Sequence, residues 1–397
     1  MVWRAACFSR GALGALGGRA RLVPAWRGVA ALAAAAPSWA LAPAPTWGGR
    51  VRARALGTQQ GEAVDDFVEG GGGGGGGGAS SGFFLPFKYR SKKARERYVL
   101  KTQIGSGCFA TVYEALDIET NKKVAVKVMD KRATPREICE RELRILDQVS
   151  SKAPNARVTP MIDVFEDATK LYFVLELMRG DLFDHVSKTG KMSEPEAATV
   201  VRKLCFTLEA LHRSGILHRD IKLENLLIES RKEGESEEDD QGAQAFKVAD
   251  FGFAKQMDEK DRFRNPAGTL GYAAPEVLEK REYGPATDVY SAGVVLYILL
   301  SGHPPFPLKP GVDPTKLSVE EQLSAEAEAI HYGRESKRWQ KHLQKGVWKD
   351  ISLGAKKLVS KMLRIDPAKR ATTQEVLNDP WILANTKLRQ FEFLNFE

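Results

Sequence analysis

Residues 218–225 read His-Arg-Asp-Ile-Lys-Leu-Glu-Asn, and Asp250-Phe251-Gly252 follows after an insertion. The first stretch places a carboxylate, a lysine and an amide at short fixed spacing, and the second stretch adds another carboxylate. Phosphoryl transfer depends mainly on positioning and on neutralising charge. The two stretches therefore predict a site that holds a metal-bound phosphate while a hydroxyl attacks it.

The charge of the 397-residue chain is unevenly distributed. The net charge is +8, yet residues 1–61 contain eight of the 59 basic residues and none of the 51 acidic ones. The rest of the chain therefore carries 51 residues of each sign, and the basic surplus belongs to the leader alone. This distribution predicts no nucleic-acid partner. The 43% hydrophobic content is typical of a globular protein long enough for two or more domains.

The leader at 1–61 is rich in Arg, Ala and Gly, which is typical of a targeting peptide. One interpretation is a transit peptide for a plastid or mitochondrion. A second is a secretory signal with its apolar segment at Val29 to Ala36 and cleavage near Ala40. A third is a disordered tail or translated upstream region, which would leave the protein cytoplasmic. The apolar segment is shorter than the roughly 20 residues that span a bilayer, so no stable membrane insertion is predicted.

Composition also indicates the bounds of the linker, the folded domain and the tail. Gly70–Gly78 is an unbroken run of glycine, so 62–97 is predicted to be a flexible linker followed by a basic segment. The folded domain is expected at 98–382 and a short tail at 383–397. The four cysteines have no Cys-x-x-Cys spacing, so neither a zinc site nor a disulfide framework is predicted.

The first part of the folded domain is predicted to be a small sheet. Alternating apolar residues indicate strands at 98–105, 111–117, 123–129, 158–164 and 171–176. Between the first two strands, Gly105 and Gly107 would let backbone amides approach phosphates closely. Lys127 follows on the next strand, from which it can reach the inner phosphates of a nucleotide.

A helix is predicted at 136–149, where apolar residues recur at helical spacing. Glu142 on this helix is placed to pair with Lys127, and Glu140 is the alternative partner. Beyond the sheet the pattern becomes largely helical, with helices at 181–189 and 193–214. The second of these begins with a capping-box sequence, Ser-x-x-Glu.

These motifs and several later ones occur in a fixed order, and the chain resembles the eukaryotic protein kinases of the Ser/Thr type. The matching motifs are Gly105-x-Gly107, Val124-Ala125-Val126-Lys127, His218-Arg219-Asp220-x-Lys222-x-x-Asn225, Asp250-Phe251-Gly252, Ala274-Pro275-Glu276, Asp288-x-x-Ser291-x-Gly293, and Arg370 after Asp366-Pro367. The resemblance implies an α+β fold of two lobes. A small five-stranded antiparallel lobe is expected at 98–178 and a larger, mainly helical lobe at 179–382.

The resemblance also implies ATP and Mg²⁺ as cofactors and assigns roles to the opening stretch. Asp220 would orient the substrate hydroxyl and accept its proton, Asn225 and Asp250 would hold Mg²⁺, and Lys222 would neutralise the transferring phosphoryl group. His218 would be structural rather than a general base. With Lys127 held forward by Glu142, adenine would lie between Val112 and Ala125 on one side and Leu227 on the other. The residues implied for ATP binding are Ile104, Gly105, Gly107, Val112, Ala125, Lys127, Glu176, Met178, Leu227 and Asp250.

The sequence departs from the family pattern in two places. Ala110 stands at the third glycine of the loop, which is tolerable. The activation segment at 253–268 contains no Ser, Thr or Tyr, so Arg219 lacks the phosphate that it commonly clamps. We expect a carboxylate of Asp258, Glu259 or Asp261 to substitute for that phosphate and the enzyme to be active without activation-loop phosphorylation.

Within the kinases, the chain resembles the calcium/calmodulin-dependent group. Asp181 and Glu224 stand where group members bind basic residues upstream of the target hydroxyl, so substrates with upstream basic residues are expected. The tail ends before a basic calmodulin target could form, so calmodulin is not an expected partner, and the protein is expected to be a monomer. Two alternatives remain, a pseudokinase scaffold and a small-molecule kinase. The roles of the acidic insertion at 229–245 and of 310–338 are not predicted.

Overall fold

The computed structural model describes residues 55–56, 96–106, 110–230, 242–257, 263–309 and 311–386. Apart from residues 311 and 312, these belong to one compact unit. The first strand, β1, is Ala55–Leu56. The rest of the leader, most of the linker, residues 231–241 of the acidic insertion and the tail beyond 386 lie outside the described residues. Predictions made for those segments stay predictions.

The small lobe is a five-stranded antiparallel sheet. Its strands are β2 Tyr98–Ser106, β3 Ala110–Asp117, β4 Lys122–Asp130, β5 Met161–Glu166 and β6 Lys170–Glu176. They lie in the order β2-β3-β4-β6-β5. Successive side chains of a strand point to opposite faces. Val124, Val126 and Val128 accordingly pack on one face, and Met129 and Phe173 pack on the other.

One helix, α1 at Arg136–Lys152, covers the second face. Its buried residues Cys139, Ile145 and Val149 share a cluster with Met129 and Phe173. The helix continues almost one turn beyond the predicted end at 149. This packing places Glu142 beneath the strand that carries Lys127.

The predicted strand at 158–164 begins later than expected, at Met161. Pro160 has no N–H to donate to a ladder, which explains why the strand cannot run through it. Val158 instead forms an isolated bridge with Val248 of the large lobe. The segment before Pro160 therefore connects the two lobes and does not extend the sheet.

The large lobe is mainly helical. Its helices are α2 Leu182–Thr189, α3 Glu194–Arg213, α4 Pro275–Leu278, α5 Ala286–Ser301, α6 Val319–Arg334, α7 Ser336–His342, α8 Leu353–Met362, α9 Thr373–Leu377 and α10 Pro380–Asn385. Asp181 and Ser193, predicted as the first residues of α2 and α3, are their N-caps, and the capping box of Ser193 with Glu196 is present. Together with the sheet, these helices confirm the predicted α+β fold.

Six short strands lie near the junction of the two lobes. They are β7 Gly180–Asp181, β8 Ile216–Leu217, β9 Leu226–Ile228, β10 Phe246–Val248, β11 Lys255–Gln256 and β12 Gly268–Thr269. β9 pairs with β7 and β10, β8 pairs with β11, and β1 pairs with β12. The chain that follows β8 carries His218–Asn225, so these pairs fix the position of that stretch.

Helix α5 lies at the centre of the large lobe and is buried from Thr287 to Ser301. Gly293 lets α8 approach it, because a Cβ at that position would lie only 2.8 Å from Met362 Cβ. Helix α6 accounts for much of the region at 310–338, and its N-cap, Ser318, forms a capping box with Glu321. Among the described residues, no helix is long and apolar enough to cross a membrane.

Candidate active site

One face of the small sheet presents three predicted residues together. Val112 pairs with Lys127, and Ala125 lies two residues before Lys127 on β4. Because paired residues and residues two apart point to the same face, Val112, Ala125 and Lys127 line one surface. Gly105 pairs with Val112 at the end of the β2–β3 hairpin. An apolar surface with a lysine at its end suits a nucleotide, because the base can lie on the apolar part and the phosphates can reach the lysine.

Lys127 contacts two carboxylates. Its Nζ lies 2.5 Å from Glu142 Oε1 and 3.2 Å from Asp250 Oδ1. Burial opposes the charged form of Lys127, but the carboxylates of Asp250 and Glu142 outweigh burial and raise its pKa. Lys127 also lowers the pKa of Asp250 to about 2, so that side chain is anionic. Of the two glutamates considered, Glu142 is the partner, and Glu140 pairs with Arg136.

Asp250 is held in place by its neighbours in sequence. Phe251 is buried in the cluster formed by α1 and the sheet, and the Gly252 carbonyl oxygen accepts a hydrogen bond from Arg141 Nη2 at 3.0 Å. The backbone of Asp250 has φ +62°, a conformation that is uncommon for a residue other than glycine. The anchored phenylalanine on one side and the bound carbonyl on the other explain how this conformation is maintained.

Asp220 is the centre of a second cluster. Its Oδ1 accepts a hydrogen bond from Thr269 Oγ1 at 2.6 Å, and its Oδ2 accepts from Asn225 Nδ2 at 3.1 Å and lies 2.9 Å from Lys222 Nζ. Lys222 also donates to Thr269 Oγ1 at 2.8 Å. Burial opposes the charged form of Lys222, but Asp220 raises its pKa. The carboxylate and the ammonium are therefore fixed beside each other by a shared threonine.

Thr269 was not among the predicted site residues. The sequence signal that could have found it is the glycine directly before it, Gly268. Gly268 adopts φ +113°, and a Cβ there would lie 2.4 Å from the Arg219 carbonyl oxygen. Glycine is thus required for the chain to pass close enough to set Thr269 against Asp220.

Asp288 binds the backbone of the loop that carries Asp220. Its carboxylate accepts hydrogen bonds from the backbone N–H of His218 at 3.1 Å and of Arg219 at 2.9 Å. His218 is fully buried, and its ring lies 5.0 Å from that of Phe251. Burial lowers the pKa of His218. These contacts agree with a supporting role for His218 and do not suit a general base.

The side-chain oxygen atoms of Asn225 and Asp250 fit a magnesium ion. Mg²⁺ prefers oxygen ligands, and Asp250 supplies an anionic carboxylate. The Nδ2 of Asn225 is bound to the backbone and side chain of Asp220, which leaves its amide oxygen as the free acceptor. Asn225 and Asp250 are therefore the residues that would hold the ion.

The structure places the other predicted ATP-binding residues around the same surface. Leu227 lies on β9, paired with Asp181, and Glu176 and Met178 lie at the exit from the sheet. The carboxylate of Glu176 contacts Lys247 Nζ at 2.5 Å, which leaves its backbone carbonyl as the group relevant to a base. Ile104 is half-exposed at the end of β2. Gly107 lies outside the described residues.

Two acids stand near the edge of the site. Asp181 caps α2 by accepting a hydrogen bond from the Asp184 N–H at 2.7 Å. Glu224 contacts the Tyr272 hydroxyl, and its Oε2 is buried with no hydrogen-bond partner among the described residues. Burial raises the pKa of Glu224. A buried carboxylate oxygen with no donor would be satisfied by a cationic side chain.

Comparison with known proteins gives concordant matches. Residues 98–382 match the family model described as protein kinase domain. The chain is 36% identical over 293 residues to Calcium-dependent protein kinase 19 of Arabidopsis thaliana, covering 72% of this chain and 48% of that protein. It is 36% identical over 296 residues to Ribosomal protein S6 kinase alpha-6 of Mus musculus, covering 74% and 35%. It is also 36% identical over 295 residues to Serine/threonine-protein kinase DCLK3 of Mus musculus, covering 74% and 34%. The chain thus spans between a third and a half of the length of these relatives.

Proposed function

The chain belongs to the protein kinase domain family, and we propose that it transfers the γ-phosphoryl group of ATP to Ser or Thr hydroxyls of proteins. The observation that carries this proposal is the pair of adjoining clusters, Lys127 with Glu142 and Asp250, and Asp220 with Lys222 and Thr269. The first cluster suits the phosphates of a nucleotide, and the second suits the hydroxyl that attacks them.

The residues act on different atoms of the reaction. Lys127, fixed by Glu142, binds the inner phosphates, while Val112 and Ala125 contact the base. Asp220 orients the substrate hydroxyl and accepts its proton as the oxygen forms a bond to the γ-phosphorus and the bond to ADP breaks. Lys222 offsets negative charge on the transferring group. A magnesium ion, when bound by Asn225 and Asp250, supplies further charge neutralisation.

The substrates are proposed to carry basic residues before the target hydroxyl. Glu224 supports this, because its Oε2 is buried without a donor among the described residues. Asp181 lies on β7, whose partner β9 follows directly after Glu224 and Asn225. Both carboxylates would bind Arg or Lys side chains of a peptide.

The test is a phosphorylation assay with labelled ATP and peptides that differ only in their upstream arginines. We expect the intact protein to phosphorylate the arginine-containing peptide, and Asp220→Ala to lower kcat by roughly 10²–10⁴-fold. Asp147→Ala, which removes an exposed carboxylate on α1, is the matched control and should leave the rate unchanged. Nucleotide binding without peptide phosphorylation would instead support a pseudokinase, and labelling of small molecules alone would support a small-molecule kinase.

We also propose that the leader at 1–61 is a targeting peptide, on the strength of its eight arginines and its lack of acids. Sequencing the amino terminus of the protein isolated from cells tests this. A start between residues about 40 and 70 is expected for a processed leader. An unprocessed terminus together with a cytoplasmic location would contradict it.

A further inference from the structure

A strongly basic segment runs over α7, the start of α8 and the connection between them. Residues 336–357 contain seven basic residues and one acidic residue, although 62–397 as a whole carries equal numbers of each sign. Five lysines of the segment are exposed, and none of them forms an ion pair with another residue that the structure describes. They are Lys337, Lys341, Lys345, Lys349 and Lys357. A local charge surplus without partners in the chain points to an anionic partner outside it.

Two buried tryptophans hold this segment against the lobe. Trp339 of α7 is part of the core of the large lobe. Lys337 and Lys341 are four residues apart on α7, so they share one side of the helix, and both are exposed. The connection to α8 contains a short 3₁₀ turn in which Trp348 is buried and Lys349 is exposed. Burial of the tryptophans therefore leaves the lysines beside them at the surface.

Helix α8 adds an apolar side chain to the same surface. Leu353 and Lys357 are four residues apart and share one side of α8, and Leu353 is 66% exposed. Leu358, on another side of the helix, is buried. Trp339 Nε1 donates a hydrogen bond to Ser360 Oγ at 2.8 Å, which joins α7 to α8. The five lysines and Leu353 thus lie on neighbouring elements, and together they form the basic surface.

The residue types of the basic surface suit an anionic membrane better than a nucleic acid. Lysine is a compact point charge, which suits the diffuse negative field of a lipid surface. Proteins that bind single-stranded nucleic acid stack bases on aromatic side chains, but Trp339 and Trp348 are only 5% and 2% exposed. Arg338, the single arginine at 336–357, lies over the Tyr332 ring with Cζ 3.5 Å from the centroid. Leu353 offers an apolar side chain to the boundary between headgroups and acyl chains.

The basic surface lies away from the proposed catalytic residues. Tyr297 of α5 bonds to His342 at the end of α7, with 2.5 Å between Oη and Nε2. Leu300 of α5 lines a cavity together with Ile351, which lies just before α8. These contacts place the basic surface toward the carboxyl end of α5. Asp288, which binds the proposed catalytic loop, lies near the other end of α5, about 18 Å from Leu300 at the helical rise per residue. A membrane at the basic surface would leave the active site open to protein substrates.

We propose that the basic surface binds anionic lipid headgroups and holds the protein at a membrane surface. The lysines contact the phosphate and carboxylate groups of the lipids, and Leu353 enters the headgroup boundary. Each lysine near an anionic lipid surface contributes roughly fivefold in affinity, so five of them are enough for reversible binding. The inference goes beyond phosphoryl transfer, because it assigns a place where protein substrates are met. Its tests measure binding alone and do not depend on the proposed kinase function.

Reversing the charge of the basic surface provides the first test. Co-sedimentation of the full chain is measured with vesicles of phosphatidylcholine alone and with vesicles that also contain phosphatidylserine. The natural protein should prefer the vesicles with phosphatidylserine, and added salt should weaken that binding. Lys341→Glu, Lys345→Glu and Lys349→Glu together should lower the affinity for these vesicles by about 100-fold or more.

The matched control makes the same charge change at exposed lysines elsewhere in the domain. Lys122→Glu, Lys152→Glu and Lys188→Glu together should lower the affinity far less. All three chains keep the arginine-rich leader, so any lipid binding by the leader is the same in each. Urea unfolding checks that both variants remain folded. Equal affinity of the two variants, or no preference of the natural protein for phosphatidylserine, would overturn the proposal.

Removing the apolar side chain provides the second test and separates a lipid from other polyanions. Leu353→Gln keeps every charge and should lower the affinity for the phosphatidylserine vesicles at least about fivefold, because the leucine leaves water when it enters the headgroup boundary. Leu383→Gln, at an exposed leucine of α10, is the control and should bind like the natural protein. The same chains are assayed with single-stranded RNA and with polyglutamate. Tighter binding to either polymer than to the vesicles, with equal affinities for the two leucine variants, would assign the basic surface to that polymer and overturn the proposal.

Discussion

Arg219 donates a hydrogen bond from Nη1 to the Tyr283 hydroxyl at 3.1 Å, and that hydroxyl donates to the Asn265 carbonyl oxygen at 2.7 Å. Arg219 also donates from Nε to the Phe253 carbonyl oxygen at 2.7 Å. The arginine next to Asp220 therefore holds both ends of the activation segment through protein groups. Asp258, Glu259 and Asp261, expected to act as phosphate substitutes, lie outside the described residues, and the role predicted for them stays a prediction.

This arrangement predicts activity without phosphorylation of the activation segment. Treatment with a phosphatase should leave kcat unchanged in the peptide assay. Tyr283→Phe should lower kcat up to about tenfold, because it removes a bridge of two hydrogen bonds worth roughly 0.5–1.5 kcal/mol each. Tyr332→Phe, at an exposed tyrosine of α6, is the control. A phosphatase-treated protein without activity would contradict the prediction.

Thr269, whose hydroxyl joins Asp220 to Lys222, gives a second prediction. Thr269→Val keeps the shape of the side chain but removes the hydroxyl that donates to one residue and accepts from the other. We expect kcat to fall by about 10-fold or more, since a buried charged group loses its partner. Thr269→Ser restores the hydroxyl and should recover most of the activity. Equal kcat for the Val and Ser variants would show that the hydroxyl does not position these groups.

The extent to which the site could be predicted depends on sequence separation. Lys127, Asp220, Asn225 and Asp250 stand in short motifs whose spacing reports their chemistry, and the structure brings them together. The contacts that sequence did not reveal join distant residues. Thr269 and Asp220 are 49 positions apart, and Tyr283 and Arg219 are 64 apart. No local periodicity specifies which threonine or tyrosine reaches the loop, because that depends on how the helices pack.

The fold shows the same distinction. Alternation and helical spacing predicted the elements of the small lobe, since these patterns reflect one buried face each. The predicted start of β5 was wrong because Pro160 interrupts the strand, and Val158 before it forms a bridge to Val248 of the large lobe. The role of α6 was not predicted, because it depends on a contact between residues that are far apart in the sequence. Glu326 accepts a hydrogen bond from the Gly271 N–H, 55 positions earlier in the chain.

A third prediction concerns the buried ion pair of Glu276 and Arg370. Two hydrogen bonds of 2.6 and 2.8 Å join the side chains, and both are essentially fully buried. Glu276→Gln leaves the guanidinium charge without its counter-ion, and the free energy of unfolding should fall by about 3–5 kcal/mol. Urea unfolding measures this change.

The control for that experiment is an exposed ion pair in the same lobe. Lys280 and Glu320 lie 3.1 Å apart with side chains that are 51% and 74% exposed. Glu320→Gln should leave the free energy of unfolding nearly unchanged, because water and salt screen an exposed ion pair. Similar losses for Glu276→Gln and Glu320→Gln would mean that burial does not determine the strength of these pairs.

The last prediction is a pH dependence of stability from Glu326. This side chain is buried, accepts a hydrogen bond from the Gly271 N–H, and burial raises its pKa to about 8 from an ordinary 4.5. Between those two values the folded chain keeps a proton that the unfolded chain has lost, so stability should fall as pH rises, by at most about 1.4 kcal/mol per pH unit. Glu326→Gln keeps an acceptor for Gly271 and cannot ionise, so it should remove this decline and leave the variant more stable than the natural protein at pH 9. Glu328→Gln, at an exposed position of the same helix, is the control. Urea unfolding from pH 5 to pH 9 measures the slopes, and an equal slope for Glu326→Gln and the natural protein would exclude Glu326 as the source.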